Sequence, residues 1–264
     1  DGTEIYNPYH IGGVFSTFNA DMISDSEFLA GGFPANFGGR LSSVLNITAR
    51  EGDSRNGRLG EKNPIKKYWD FSKGSGNISL LSAKLLAEGA LYNGSWMISG
   101  RRTYFDKFVS MYYNYKEEDE PGNYFFWDTH IKLKTAINPN NQITYSQFSG
   151  KDNLALGLEG LANIDFDWDW GNSTKTISWR YIPNSNYIAT TSLSKTSYDF
   201  DVNFEVDFNP NPSGLDTNTT SLAQGSTDLD LFLDNLVEDI DLKQNIKFVY
   251  SDNISIDGGW QIKN

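Results

Sequence analysis

The 264-residue chain contains no cysteine and only two histidines. The first absence removes disulfide frameworks, thiol nucleophiles and cysteine-ligated zinc or iron–sulfur sites. The histidines, His10 and His130, stand in unrelated segments and lack the spacing of a metal centre. Basic residues are scarce too: 22 Lys and Arg against 34 Asp and Glu give a net charge of -12, which argues against nucleic acid as a partner. No window approaches the roughly 18 uninterrupted apolar residues of a transmembrane helix. The opening DGTEIYNP has neither the basic start nor the apolar run of a signal peptide. None of this excludes a membrane β-barrel, whose strands need only about 9 to 11 alternating residues and leave the mean hydropathy low.

What the chain has is aromatics, glycine and alternation. Aromatic residues make up 14% and there are 24 glycines, a composition that fits an all-β protein with many turns rather than disorder. The stretch Tyr198 to Phe208, YDFDVNFEVDF, places an aromatic or valine at every even position and Asp, Asn or Glu at every odd one. Such period-two alternation predicts a strand with one apolar and one charged face. Strands are predicted over 76–91, 95–105, 123–137, 142–153, 173–183, 187–208, 235–250 and 254–264. Short connections at 92–94, 138–141, 183–186 and 251–253 alternate with long ones at about 106–122, 154–172 and 209–234. That rhythm is the pattern of an outer-membrane barrel, with tight turns on one rim and long loops on the other. On this reading the apolar face of the 198–208 stretch meets lipid, at least in its lower half.

The first 52 residues read differently. GGVFSTFNADMI has apolar residues at helical spacing and predicts a short amphipathic helix. ISDSEFLAG predicts a short strand, GGFPANFGG an irregular loop, and Leu41 to Ala49 a buried strand. Residues 53–75 are polar, Gly-rich and locally basic, and predict a connection with the start of a strand at Tyr68 to Ser72.

Residues 27 to 52, EFLAGGFPANFGGRLSSVLNITAREG, resemble the end of the plug domain of TonB-dependent outer-membrane receptors. The match is carried by Glu27, Gly31, Gly32, Gly38, Gly39, Ser42, Val44, Leu45, Ile47 and Thr48. SLLSAKLLAEGAL, a tight turn and GSWMISGRRTY are similar to the first barrel strands of that family, and the likeness implies a turn near Ser82. The resemblance implies a mainly β fold: a partial transmembrane antiparallel β-barrel, from a parent of about 22 strands, preceded by the end of a small α+β plug domain. Residues 1–52 would be plug, 53–75 the connection and start of the barrel, and 76–264 its first eight or nine strands. The implied role is binding a scarce nutrient, such as an iron-siderophore, cobalamin or oligosaccharide, and importing it by plug movement, with no enzymatic step and no cofactor. Implied partners are outer-membrane lipid, the small ligand and a TonB-ExbB-ExbD energy-coupling complex acting through an N-terminal segment outside this sequence. The implied location is the outer membrane of a diderm bacterium.

Two residue groups are candidate sites. NIDFDWDWGN alternates Asp165, Asp167 and Asp169 with Phe166, Trp168 and Trp170 in an expected extracellular loop, and rings among acids suit sugar stacking or a cation. Glu27, Arg40, Glu51, Arg101 and Arg102 are candidates for holding plug to barrel wall. Adjacent strand residues point to opposite faces, so at most one of Arg101 and Arg102 reaches the lumen. The rival classes are a soluble β-sandwich adhesin or carbohydrate-binding module, which needs one enclosed core, and a glycan hydrolase, which needs two carboxylates in a cleft.

Overall fold

The computed structural model describes residues 1–10, 13–39, 42–53, 69–118, 121–158, 162–208 and 228–264. Four short strands open it: β1 (Tyr9–His10), β2 (Phe15–Ser16), β3 (Ile23–Ala30) and β4 (Ser43–Ala49). Nine more follow: β5 (Trp69–Ile78), β6 (Ser82–Leu91), β7 (Gly94–Thr103), β8 (Gly122–Asn138), β9 (Asn141–Leu158), β10 (Ala162–Asn184), β11 (Tyr187–Phe208), β12 (Asp228–Ser251) and β13 (Ile254–Lys263). One helix, α1 (Phe105–Lys116), lies between β7 and β8.

Strands β5 to β13 form a single antiparallel sheet in strict sequence order, with β5 and β13 at its edges. Each strand pairs with its chain neighbour, so tight turns and register rather than crossovers build the wall. The mainly β, antiparallel expectation holds; the large sheet is open, and the other sheets among the described residues are the two-stranded pairs β1–β2 and β3–β4. β10, β11 and β12 have 23, 22 and 24 residues. At ~3.4 Å per residue they are over 70 Å long, about twice what a tilted membrane crossing uses.

The described residues of 1–52 pack on one face of this sheet, here termed the segment face. β1 pairs with β2 and β3 with β4. The apolar contact is small: Met22 and Ala49 meet Leu86 and Met97, with Phe18 and Ile23 against them. Met97 is fully buried there, so truncating it to alanine removes a core contact of the ~2–5 kcal/mol class. After β4 the chain turns at Gly52, whose φ of +84° and close approach to the Trp96 backbone leave no room for a Cβ.

Several local expectations are corrected. GGVFSTFNADMI is not a helix: Phe15–Ser16 is strand, and a 3-10 turn at Ala20–Met22 is capped by Asn19, whose side chain accepts from the Asp21 amide. Glycine at position 13, with φ +102°, and the Asn cap favour turns over a continuous helix. The 106–122 connection contains α1 rather than a plain loop. The 154–172 connection is mostly strand, since β9 runs to Leu158 and β10 begins at Ala162. The residue 76–91 stretch is two strands, β5 and β6, joined at residues 79–81, close to the implied turn. β5 starts at Trp69, inside the expected connection, of which 54–68 lie outside the described residues.

Candidate functional site

Registers fix which side chain points where. β9, β10, β11 and β12 pair without a bulge from Ala162 to Tyr181 on β10 and from Ala189 to Phe208 on β11, so odd and even positions keep their faces over that length. Thr176 and Asn172 on β10 contact Thr3 and Asn7, and Thr196 on β11 donates to the Glu4 carbonyl, so even residues of both strands lie on the segment face. Below the paired row Ser149–Ser173–Ser197–Glu238, that face is polar, with Thr174, Thr176, Ser194 and Thr196 buried on it. The far face there carries the exposed pair Lys175 and Lys195 directly below the row, and then turns mainly apolar, with Ile177, Trp179, Tyr181 and Leu193 exposed on β10 and β11 and Ile240 beside Lys195 on β12.

Above the row the polarity inverts. Trp168, Trp170, Phe200 and Val206 now point to the segment face, while Asp165, Asp167, Asp169, Asp201 and Asp234 point to the far face. The apolar face of the YDFDVNFEVDF stretch is therefore turned inward, opposite to the expectation that it meets outer lipid. The physical reason is visible in the rings. Trp168 packs on Trp170 in a tilted contact with centroids 4.4 Å apart and meets Phe200 edge-on at 5.6 Å. Tyr124 lies parallel to Trp170 at 6.5 Å and 6.2 Å from Phe126, which stacks on His10 at 3.9 Å. One aromatic wall thus runs from the tip of the β1–β2 hairpin up the inner side of β8, β10 and β11. Trp168 Nε1 is buried on it, and no acceptor among the described residues reaches that donor.

Below the wall, the segment is held by polar contacts. His10 Nδ1 lies 2.6 Å from Asp152 and its Nε2 3.8 Å from Asp128, and all three side chains are buried. Tyr124 donates to the other Asp152 oxygen, and Arg101 pairs with Asp128 while donating at 2.7 Å to the Ser16 carbonyl. Lys132 donates to the Ala49 carbonyl at 3.0 Å and to Asp1 at 2.8 Å. Arg50 and Lys73 approach buried Glu88 at 3.6 and 2.8 Å, and Lys84 lies 3.1 Å from Asp21. On the other flank Lys263 meets Glu4 at 2.8 Å and Lys243 donates to the Asn36 carbonyl. A cavity of about 640 Å³ remains between this flank and the segment, lined by Tyr6, Phe37, Val44, Thr174, Thr176 and Lys243 among others.

The sequence-predicted residues divide accordingly. Asp165, Asp167 and Asp169 sit on a strand rather than in a loop, on the face opposite Trp168 and Trp170, so the five do not form one site. Asp169 pairs with Lys151 at 3.1 Å. Of the proposed plug contacts, Glu51 pairs with Lys134, and Ser95 donates to its carbonyl. Arg101 faces the segment, whereas Arg102 pairs with Asp106 of α1 at 2.7 Å and lies over Phe125. Glu27 is exposed on β3, and Arg40 lies outside the described residues. Sequence reasoning missed His10, Asp128, Asp152, Lys132 and Glu88, because positions up to 142 apart in sequence carry no local sign of contact. No family model, curated protein or solved structure matches the chain.

Proposed function

We propose that the chain is part of an outer-membrane transport receptor of the TonB-dependent kind, with residues 1–52 as the end of its plug. The observation that supports this reading is the inversion of polarity along β9 to β12. Below the Lys175–Lys195 pair, which lies just under the Ser149–Ser173–Ser197–Glu238 row, mainly apolar residues face away from the segment and polar ones toward it, the arrangement a lipid-embedded wall around a wet interior requires. β11 from Tyr187 to Ser197 supplies 11 residues for that crossing, matching the roughly 9 to 11 needed, with Lys195, paired with Glu238, at its upper boundary. Trp69, Trp96, Trp179, Tyr181 and Tyr187 lie toward the tight-turn end of the sheet, as an interfacial aromatic belt would.

The nutrient binds, on this reading, against the inner aromatic wall above the plug, where Trp168 Nε1 offers an unmatched donor and the rings offer stacking surfaces. The wall ends on His10, at the tip of the β1–β2 hairpin, so a ligand lying on it touches the element that must move. The plug is held mainly by hydrogen bonds and ion pairs, each contributing a net ~0.5–1.5 kcal/mol, with a small apolar contact. Such an interface can separate into water without exposing a large hydrophobic surface. The sheet edges at β5 and β13 must be closed by further strands, since unpaired edges are untenable in lipid. Import is driven by the TonB-ExbB-ExbD complex of the inner membrane.

Fractionation of cells that make the protein, with heated and unheated samples compared by gel mobility, tests this. Outer-membrane enrichment with a heat-dependent mobility shift is expected. A water-soluble chain with heat-insensitive mobility overturns the reading.

A further inference from the structure

Helix α1 presents its apolar side in the wrong direction for a protein surrounded by water. At 3.6 residues per turn, Phe105, Phe108, Met111, Tyr112 and Tyr115 fall within an arc of about 120°. All five are exposed, from 46% for Phe108 to 84% for Tyr115. The opposite side carries Asp106, which is buried and paired with Arg102 at the top of β7, and the partly buried Val109 and Tyr113. The helix is therefore pinned to the wall by its polar side and by contacts with β8, leaving an aromatic stripe pointing away.

The surface beneath it indicates what covers that stripe. On β10 and β11 the far face turns acidic directly above the Ser149–Ser173–Ser197 row. On β8 it does not. There the far face carries Ile131 and Leu133, then Thr129 in the row itself, and continues upward with Trp127 and Phe125. Barrel strands are tilted by about 35–45°, so a lipid boundary crosses the hydrogen-bonded rows obliquely and stands higher on one flank than on the other. Phe125 lies under Arg102, whose guanidinium carbon is 4.6 Å from the ring centroid, and Arg102 holds Asp106 in the first turn of α1. The apolar far face of the wall thus runs without an acidic break to the foot of the helix.

We propose that α1 is an interfacial helix, resting on this flank of the barrel with its Phe105, Phe108, Met111, Tyr112 and Tyr115 stripe immersed at the headgroup boundary of the outer leaflet. The inference rests on the membrane reading above. Phe and Tyr are the side chains such a boundary favours, and Lys107 and Lys116 at the two ends can extend their ammonium groups to the headgroups. The helix then fixes the height and tilt of the β7–β8 flank, while the acidic far face of β10 and β11 stands clear of the bilayer.

The absence of cysteine allows a direct test. Nitroxide labels are placed one at a time on Phe108→Cys, Tyr112→Cys, Leu193→Cys and Asp167→Cys in the receptor whose further strands close this sheet, inserted into vesicles of phosphatidylethanolamine and phosphatidylglycerol. Collision with oxygen, which partitions into lipid, is compared with collision with a water-soluble nickel chelate. At 108 and 112 the oxygen-to-nickel ratio should rise several-fold over that at 167 and fall below that at 193, the mark of shallow immersion. A lipid-like ratio at 193 with a water-like ratio at 108 and 112 overturns the helix assignment and leaves the membrane reading standing. Loss of both collision rates at 108 and 112 assigns the stripe to a protein partner or a second copy, and also overturns it. A water-like ratio at 193 rejects the membrane reading and the helix with it.

Discussion

The lower and upper halves of β10 and β11 use the same strands to solve opposite problems. Below Ser173 and Ser197, apolar side chains such as Ile177 and Leu193 point away from the segment, and threonines point toward it. Above, Trp168, Trp170 and Phe200 point inward and a row of aspartates points out. A sheet has no intrinsic inside. Which face is apolar is set by what each half touches, and an unbroken register lets the chain reverse that choice by changing only which parity carries the hydrophobic residues.

The comparison is broken most severely by removing a ring from the upper inner wall. Trp170 is buried at 4% exposure between Trp168 and Tyr124, so Trp170→Ala should cost about 3–5 kcal/mol through the cavity it leaves. Urea unfolding of the inserted protein measures this; a loss below about 1 kcal/mol would show that the wall is solvated rather than packed. A second pair of variants sharpens the contrast between the halves on one face. Ile177→Arg places a charge on the far face below the row and should cost about 2–4 kcal/mol in a bilayer. Asp167→Arg, ten residue pairs above Ile177 on the same face, should stay within about 0.5 kcal/mol. Equal effects at the two positions would remove the distinction between a lipid half and a water half.

Much of the sheet was legible because period-two alternation survives tertiary context: β8, β11 and β13 lie close to where the pattern puts them. The inversion was also written in the sequence, as a slip of phase. Apolar parity is even at Phe166, Trp168 and Trp170 and odd at Ile177, Trp179 and Tyr181; in β11 it passes from odd at Leu193 to even at Tyr198 and Phe200. Only the pairing shows that no bulge absorbs the slip, and hence that the faces truly exchange environment. Reading the acidic alternation at 163–172 as a loop followed from its charge, yet acids are compatible with a strand whose far face is wet. The segment contacts were not legible at all. Nothing near His10 announces Asp152, and nothing near Met22 announces His130, 108 residues away.

The mildest way to probe the contrast is with protons. Asp201 stands opposite Asp234 on β12 and Asp169 on β10, on the far face above the row. Desolvation raises its pKa above the ordinary carboxylate value, a hydrogen bond with Asp234 and repulsion from Asp234 and Asp199 raise it further, and Lys151 opposes the shift. A raised folded-state pKa means that the folded chain holds this proton more tightly than the unfolded one. The stabilisation is complete below the unfolded value of about 3.9 and is lost as pH rises through the higher folded value. Stability should therefore decline slightly across the upper carboxylate range, and Asp201→Asn should flatten that decline. Because Asp201 is largely open to water, the effect should be the smallest of the set. Unfolding midpoints of the two proteins, measured from acid to neutral pH, decide it. If the two curves stay parallel, the facing carboxylates do not interact, and the upper far face is screened as fully as an isolated surface charge.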